Sequence, residues 1–125
     1  MRPEALRTRT FADLEARGFR PAASLPLPDA TAPLRPAAQV LARFVESTLD
    51  TMLAGTSPRS PDEVISMEYR FYCAHNAVVS ARMGSDTVPE GFDAAVDGAA
   101  IEERRRSLTW CLSPDIEWDE TDLST

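Results

Sequence analysis

Residues 60–84 read SPDEVISMEYRFYCAHNAVVSARMG, and this stretch decides the fold. Ser60 offers an N-cap hydroxyl, and Pro61 suits a first helical turn because the N–H it lacks would have no partner there. Glu63 stands where a capping box places its reciprocal carboxylate. Gly84 supplies the stop, about six turns later at roughly 3.6 residues per turn. Between these signals Val64, Ile65, Phe71, Tyr72, Cys73, Val78, Val79 and Met83 cover more than one face, which predicts burial on two sides and a central place in the fold.

Working outward, Pro3 to Arg17 carries Leu6, Phe11 and Leu14 near one helical stripe, with Gly18 as the stop. Pro21, Pro26, Pro28, Pro33 and Pro36 then make residues 20–36 an ordered but irregular connector, with Leu25, Leu27 and Leu34 as its core anchors. A helix is expected from Pro36 to Ala54, its apolar face formed by Ala37, Val40, Leu41, Phe44, Val45, Thr48, Leu49 and Met52. After the central helix, Asp86, Pro89 and Gly91 mark a turn, and residues 92–97 are expected to add a short helical piece before Gly98. A last helix spans 99–112, with Ile101, Arg105, Leu108 and Leu112 in line, and ends at Ser113-Pro114. No two alternating runs pair as a hairpin. The expected fold is mostly α: one compact domain over residues 1–125, a bundle of about four helices with a Pro-rich connector at 20–36 and an extended acidic C-terminal tail at 113–125.

Composition narrows the function classes. The chain has 125 residues, 43% hydrophobic and 26% charged, which suits one globular domain and neither disorder nor membrane embedding. Its first ten residues carry Arg2, Glu4, Arg7 and Arg9 with no apolar stretch behind them, so a cytoplasmic location is expected, with Cys73 and Cys111 as reduced thiols. A net charge of −7 argues against nucleic acid, which needs a basic footprint, and favours a basic protein partner. All 13 cations are Arg, a pattern expected from codon bias in a GC-rich bacterial genome.

Residues able to carry chemistry fall short of a site. His75 is the single histidine, one turn from Phe71 and Val79, and reads as a hydrogen-bonded core residue. Cys73 lies two residues from it, so the side chains diverge by about 200° on a helix and cannot form a nucleophile–base pair. Adding Cys111 still leaves no paired spacing for structural zinc. The acids Asp115, Glu117, Asp119, Glu120 and Asp122 lack the glycine and terminal glutamate of a calcium loop, and so many neighbouring carboxylates do not isolate one raised general acid. No catalytic residue, cofactor ligand or metal ligand is therefore assigned.

Arg104, Arg105 and Arg106 fan around the last helix and cannot face one ligand together. The expected use of this charge is internal: Asp119 or Asp122 pairs with Arg104, Arg105 or Arg70 and pins the tail. Trp110 is expected at the core edge, and Trp118 as tail anchor or interface residue. The candidates for interaction or tail anchoring are thus Arg70, Arg104, Arg105, Trp118, Asp119, Glu120 and Asp122.

Three stretches resemble the 4272 family of bacterial domains of unknown function. Glu103-Arg104-Arg105, Leu108, Trp110, Trp118-Asp119-Glu120, Asp122 and Thr125 match its C-terminal signature. Tyr69-Arg70-Phe71 and Ala74 resemble its Tyr-Arg helix, with Cys73 where a Trp is usual, and Arg7 to Gly18 with the following Leu-Pro segment is also similar. The chain is shorter than typical members where only Thr56-Ser57-Pro58-Arg59 separates the two middle helices. The resemblance implies a mostly helical fold and no established activity.

The function expected from all this is a non-enzymatic acidic binding protein of the immunity or inhibitor type. The alternative is an enzyme or small-ligand binder with an interhelical pocket around Glu68, Arg70, Tyr72 and His75. A homo-oligomeric structural module is a third class, and no oligomeric state is read from the residues.

Overall fold

The computed structural model describes residues 1–36, 39–40 and 59–125. Among these residues the chain forms three α-helices, α1 (Pro3–Ala16), α2 (Pro61–Arg82) and α3 (Gly98–Cys111), one 3-10 turn at Trp118–Glu120, and no strand. The helix expected over 36–54 lies outside the described residues except at its start, where the Gln39 and Val40 amides donate to the Pro36 carbonyl.

In α1, Leu6, Thr10 and Leu14 recur every four residues and are buried, while Phe11 packs at the edge of the core. The helix stops at Gly18, whose φ of 90° is left-handed and whose missing Cβ would stand 3.0 Å from the Pro89 ring. In α2 the Ser60 hydroxyl accepts from the Glu63 amide at 3.3 Å. The expected reciprocal bond is replaced, because the Glu63 carboxylate turns to Arg59 instead. From Cys73 to Val78 every residue of α2 is buried, as a helix covered on two sides requires. Met83, expected in that apolar set, instead caps the helix C-terminus and is 83% exposed.

The core joins Leu6 and Leu14 of α1, Leu25 of the connector, and Ile65, Tyr69, Cys73 and Ala74 of α2; Ile101 and Leu112 pack against it from the α3 side. Fully burying a side chain the size of Ile65 contributes about 2 kcal/mol. Where α3 begins, Gly98 lets the helices touch: a Cβ there would lie 2.5 Å from Val78 Cγ1. Residues 92–97 are a turn rather than the short helix expected. The Asp93 side chain takes up the amides of Ala95 and Val96, and its carbonyl accepts one α-type bond from the Asp97 amide at 2.7 Å, which closes a single turn.

The connector is held by side chains, because its prolines cannot make a backbone ladder. Arg7 donates to the carbonyls of Ala23 and Leu25, the Tyr69 hydroxyl to Pro26 O at 2.9 Å, and the Ala22 amide to Asn76 Oδ1 at 2.8 Å. Leu25 is buried as an anchor and Leu34 is half-buried, whereas Leu27, contrary to expectation, is exposed. No helix among the described residues is long and apolar enough to cross a membrane.

Candidate functional site

The C-terminal segment, residues 113–125, runs back over α3 and is gripped at two points by buried arginines. The first is Arg35, at the end of the connector and 7% exposed. Its amide donates to Cys111 O at 2.7 Å, its Nε to Trp110 O at 3.0 Å, and its Nη2 to Ile116 O at 2.7 Å and to Ser113 O. The guanidinium also lies 3.9 Å from the centre of the Trp110 ring, which is buried. These carbonyls lie at and just past the end of α3, where a helix leaves acceptors without intrahelical donors, so a cation fits there on two counts.

The second grip is Arg105, 3% exposed in the middle of α3. Its Nη2 donates to Ser124 O at 2.9 Å and to Asp122 O at 3.5 Å, and its Nη1 donates to Leu123 O and to His75 Nδ1 at 2.9 Å. Tyr72 stacks beneath it, 4.9 Å from ring centre to guanidinium carbon. The expected bidentate pair with a tail carboxylate is not what forms, because the groups that reach Arg105 are backbone carbonyls and an imidazole. Asp122 acts on Arg105 through its charge, while its Oδ1 accepts from the Ser124 amide at 2.9 Å, which holds its carboxyl below the usual range.

An arginine only donates, so His75 Nδ1 carries a lone pair and the ring proton sits on Nε2. His75 is 2% exposed, and Nε2 lies 3.6 Å from Glu102 Oε1, itself 4.0 Å from Arg82 by its other oxygen. Burial first, then the charge of Arg105, lowers the proton affinity of this imidazole, against the opposing pull of Glu102. Glu68, one face-neighbour away, accepts from the Thr109 hydroxyl at 3.0 Å, and burial raises its carboxyl pKa. Burial pushes the Cys73 thiol up to about 12, so it is an unreactive core residue.

The three consecutive arginines have three separate fates. Arg104 reaches over Phe71, Arg105 is buried, and Arg106 pairs with Glu103 and lies 5.9 Å from the Trp118 ring centre. Trp118 meets Trp110 edge-on at 5.6 Å, tying the 3-10 turn to α3. Arg70 points the other way, to Asp13 of α1 at 3.0 Å, and does not meet the tail. Asp119 and Glu120 are exposed, as are Asp115, Glu117 and Asp122.

The pocket expected around Glu68, Arg70, Tyr72 and His75 is divided by α2 itself. Glu68, Tyr72 and His75 surround Arg105, whereas Arg70 lines a separate cavity of about 300 Å³ with Leu6, Thr10 and Asp13. Residues two apart on a helix face opposite ways, and the guanidinium of Arg105 fills the space the other three would enclose. Among the described residues no group of three or more His, Cys, Asp or Glu side chains could hold a metal ion.

Arg35 is the site residue the sequence reading overlooked. Its signal was available: it is the single cation between Arg20 and Arg43, alone in a connector of prolines and leucines. A family model described as domain of unknown function (DUF4272) matches residues 22–121, a span that includes Arg35, His75 and Arg105. No curated protein and no solved structure matches the chain.

Proposed function

Because the chain belongs to the DUF4272 family, whose description assigns no activity, we propose from its own geometry a non-enzymatic binding role: an acidic protein of the immunity or inhibitor type that offers residues 113–125 to a basic protein partner. The supporting observation is how the segment is held. Arg35 and Arg105 engage its backbone carbonyls, so its five carboxylates stay exposed on a backbone that is already ordered. Ordering before association lowers the entropy lost on binding, and a row of like charges steers an oppositely charged partner. Trp118 adds an aromatic surface at the centre of that row.

Titration calorimetry against the product of the adjacent gene tests this reading. Binding should weaken by about tenfold or more between about 50 and 200 mM salt, in keeping with screening of exposed charges. It should weaken further when Asp119 and Glu120 are changed to Asn and Gln. Absent binding, or binding indifferent to both salt and these substitutions, overturns it.

A further inference from the structure

We propose that His75 and Arg105 form a proton-operated latch on the C-terminal segment, in which protonation of the imidazole releases residues 121–125 from α3. The latch needs no partner and stands apart from the binding role. Its basis is a hydrogen bond that exists in one protonation state alone. Arg105 Nη1 donates to Nδ1 at 2.9 Å, and an imidazolium has no lone pair at either nitrogen to receive it. Protonation would set an N–H against an N–H and place two cations side by side in a site where both residues are almost fully buried. The same Nη1 also holds Leu123 O, and its sister Nη2 holds Asp122 O and Ser124 O, so displacing this guanidinium frees three carbonyls of the segment together.

An alternative position for the charged ring is at hand. Among the described residues Nε2 has no partner within hydrogen-bond distance, and Glu102 Oε1 is only 3.6 Å away. A small rotation would turn that approach into a charge-assisted bond as the Arg105 contact is lost, giving the ring two exclusive partners. The other groups around it set the acid range. Arg82 on α2 and Arg105 on α3 oppose the ring's charge, and Glu102 favours it; Glu68, Tyr72 and Asp122 face Arg105 rather than the ring. Because the latched ring binds its proton more weakly than a free imidazole, the released form takes up the proton first. Latching is therefore intact above an ordinary histidine value of about 6.5 and weakens as pH falls below it. Asp122, whose carboxyl is lowered, would act only at more acid pH.

Nuclear magnetic resonance of the full chain tests the latch. At about pH 7.5 the His75 ring nitrogens should carry the signature of the Nε2–H tautomer. Backbone protection of residues 121–125, corrected for the intrinsic pH dependence of exchange, should fall by about tenfold or more by about pH 5, with the midpoint of the His75 titration. The H75Q variant, whose side-chain oxygen can accept from Arg105 without titrating, should keep the segment protected over the whole range. Three results overturn the proposal: a ring that stays neutral to about pH 4.5, a ring that titrates while the segment stays protected, or an H75Q chain that releases the segment as the wild type does, which would assign the effect to Glu68 or Glu102. Should H75Q fail to fold, coincidence or separation of the two wild-type midpoints still decides.

Discussion

Arg35 and Arg105 perform one task with different neighbours. Both are buried, both lie against an aromatic ring and both hold carbonyls of the C-terminal region. Arg35 is surrounded by acceptors that do not titrate near neutrality: the carbonyls of Trp110, Ser113 and Ile116, and the amide of Gln39. Arg105 shares its Nη1 with a histidine, and its Nε has no hydrogen-bond partner among the described residues. One end of the segment is thus held at any physiological pH, while the other depends on a proton. A buried cation matched to backbone oxygen is a permanent fastening, and the same cation matched to imidazole is a conditional one.

The sharpest way to break this comparison is to remove each guanidinium while keeping its bulk. Arg35→Met should cost about 4 kcal/mol in urea unfolding, since it removes the donor shared by the Trp110, Ser113 and Ile116 carbonyls, and the loss should be equal at about pH 7.5 and 5.5. Arg105→Met should cost about 3 kcal/mol at the higher pH and about 1 kcal/mol less at the lower, because protonation of His75 has by then already strained its contacts. A pH-dependent loss at Arg35 would erase the distinction.

Gly98→Ala tests whether both fastenings depend on how closely α3 approaches α2. The added methyl would meet the buried Val78 at 2.5 Å, and overpacking of this kind costs about 2 kcal/mol. It should loosen Arg105 and Trp110 together, seen as lower protection throughout residues 113–125. The smallest effect belongs to Ser60→Ala. Loss of the N-cap bond should lower stability by about 1 kcal/mol and leave the protection pattern of the segment unchanged, because the start of α2 touches neither arginine.

Much of the architecture was legible from local signals. Ser60 and Pro61 start α2, and Gly18 and Gly84 end helices with φ of 90° and 100°, as caps and left-handed glycines do wherever they occur. Residues 92–97 depart from the expected helix for an equally local reason: the Asp93 side chain takes the Val96 amide, which a helix beginning at 92 would bond to its own backbone. Arg105 of α3 meets the C-terminal segment through backbone carbonyls where the sequence suggests carboxylates, and Arg70 of α2 faces Asp13 of α1 instead.

What the chain determined by itself, then, is where helices begin and end, that α2 is covered on two sides, and that the C-terminal region is acidic. Each of these depends on residues within a turn or two of one another. Tertiary structure alone decided what the buried cations hold. Arg35 meets Trp110, Ser113 and Ile116 across 75, 78 and 81 positions, and Arg105 meets His75 across 30. The oxygens they grip are main-chain atoms that every residue type carries alike, so no side-chain pattern marks them, and only packing of α3 and its following segment brings them to the guanidinium.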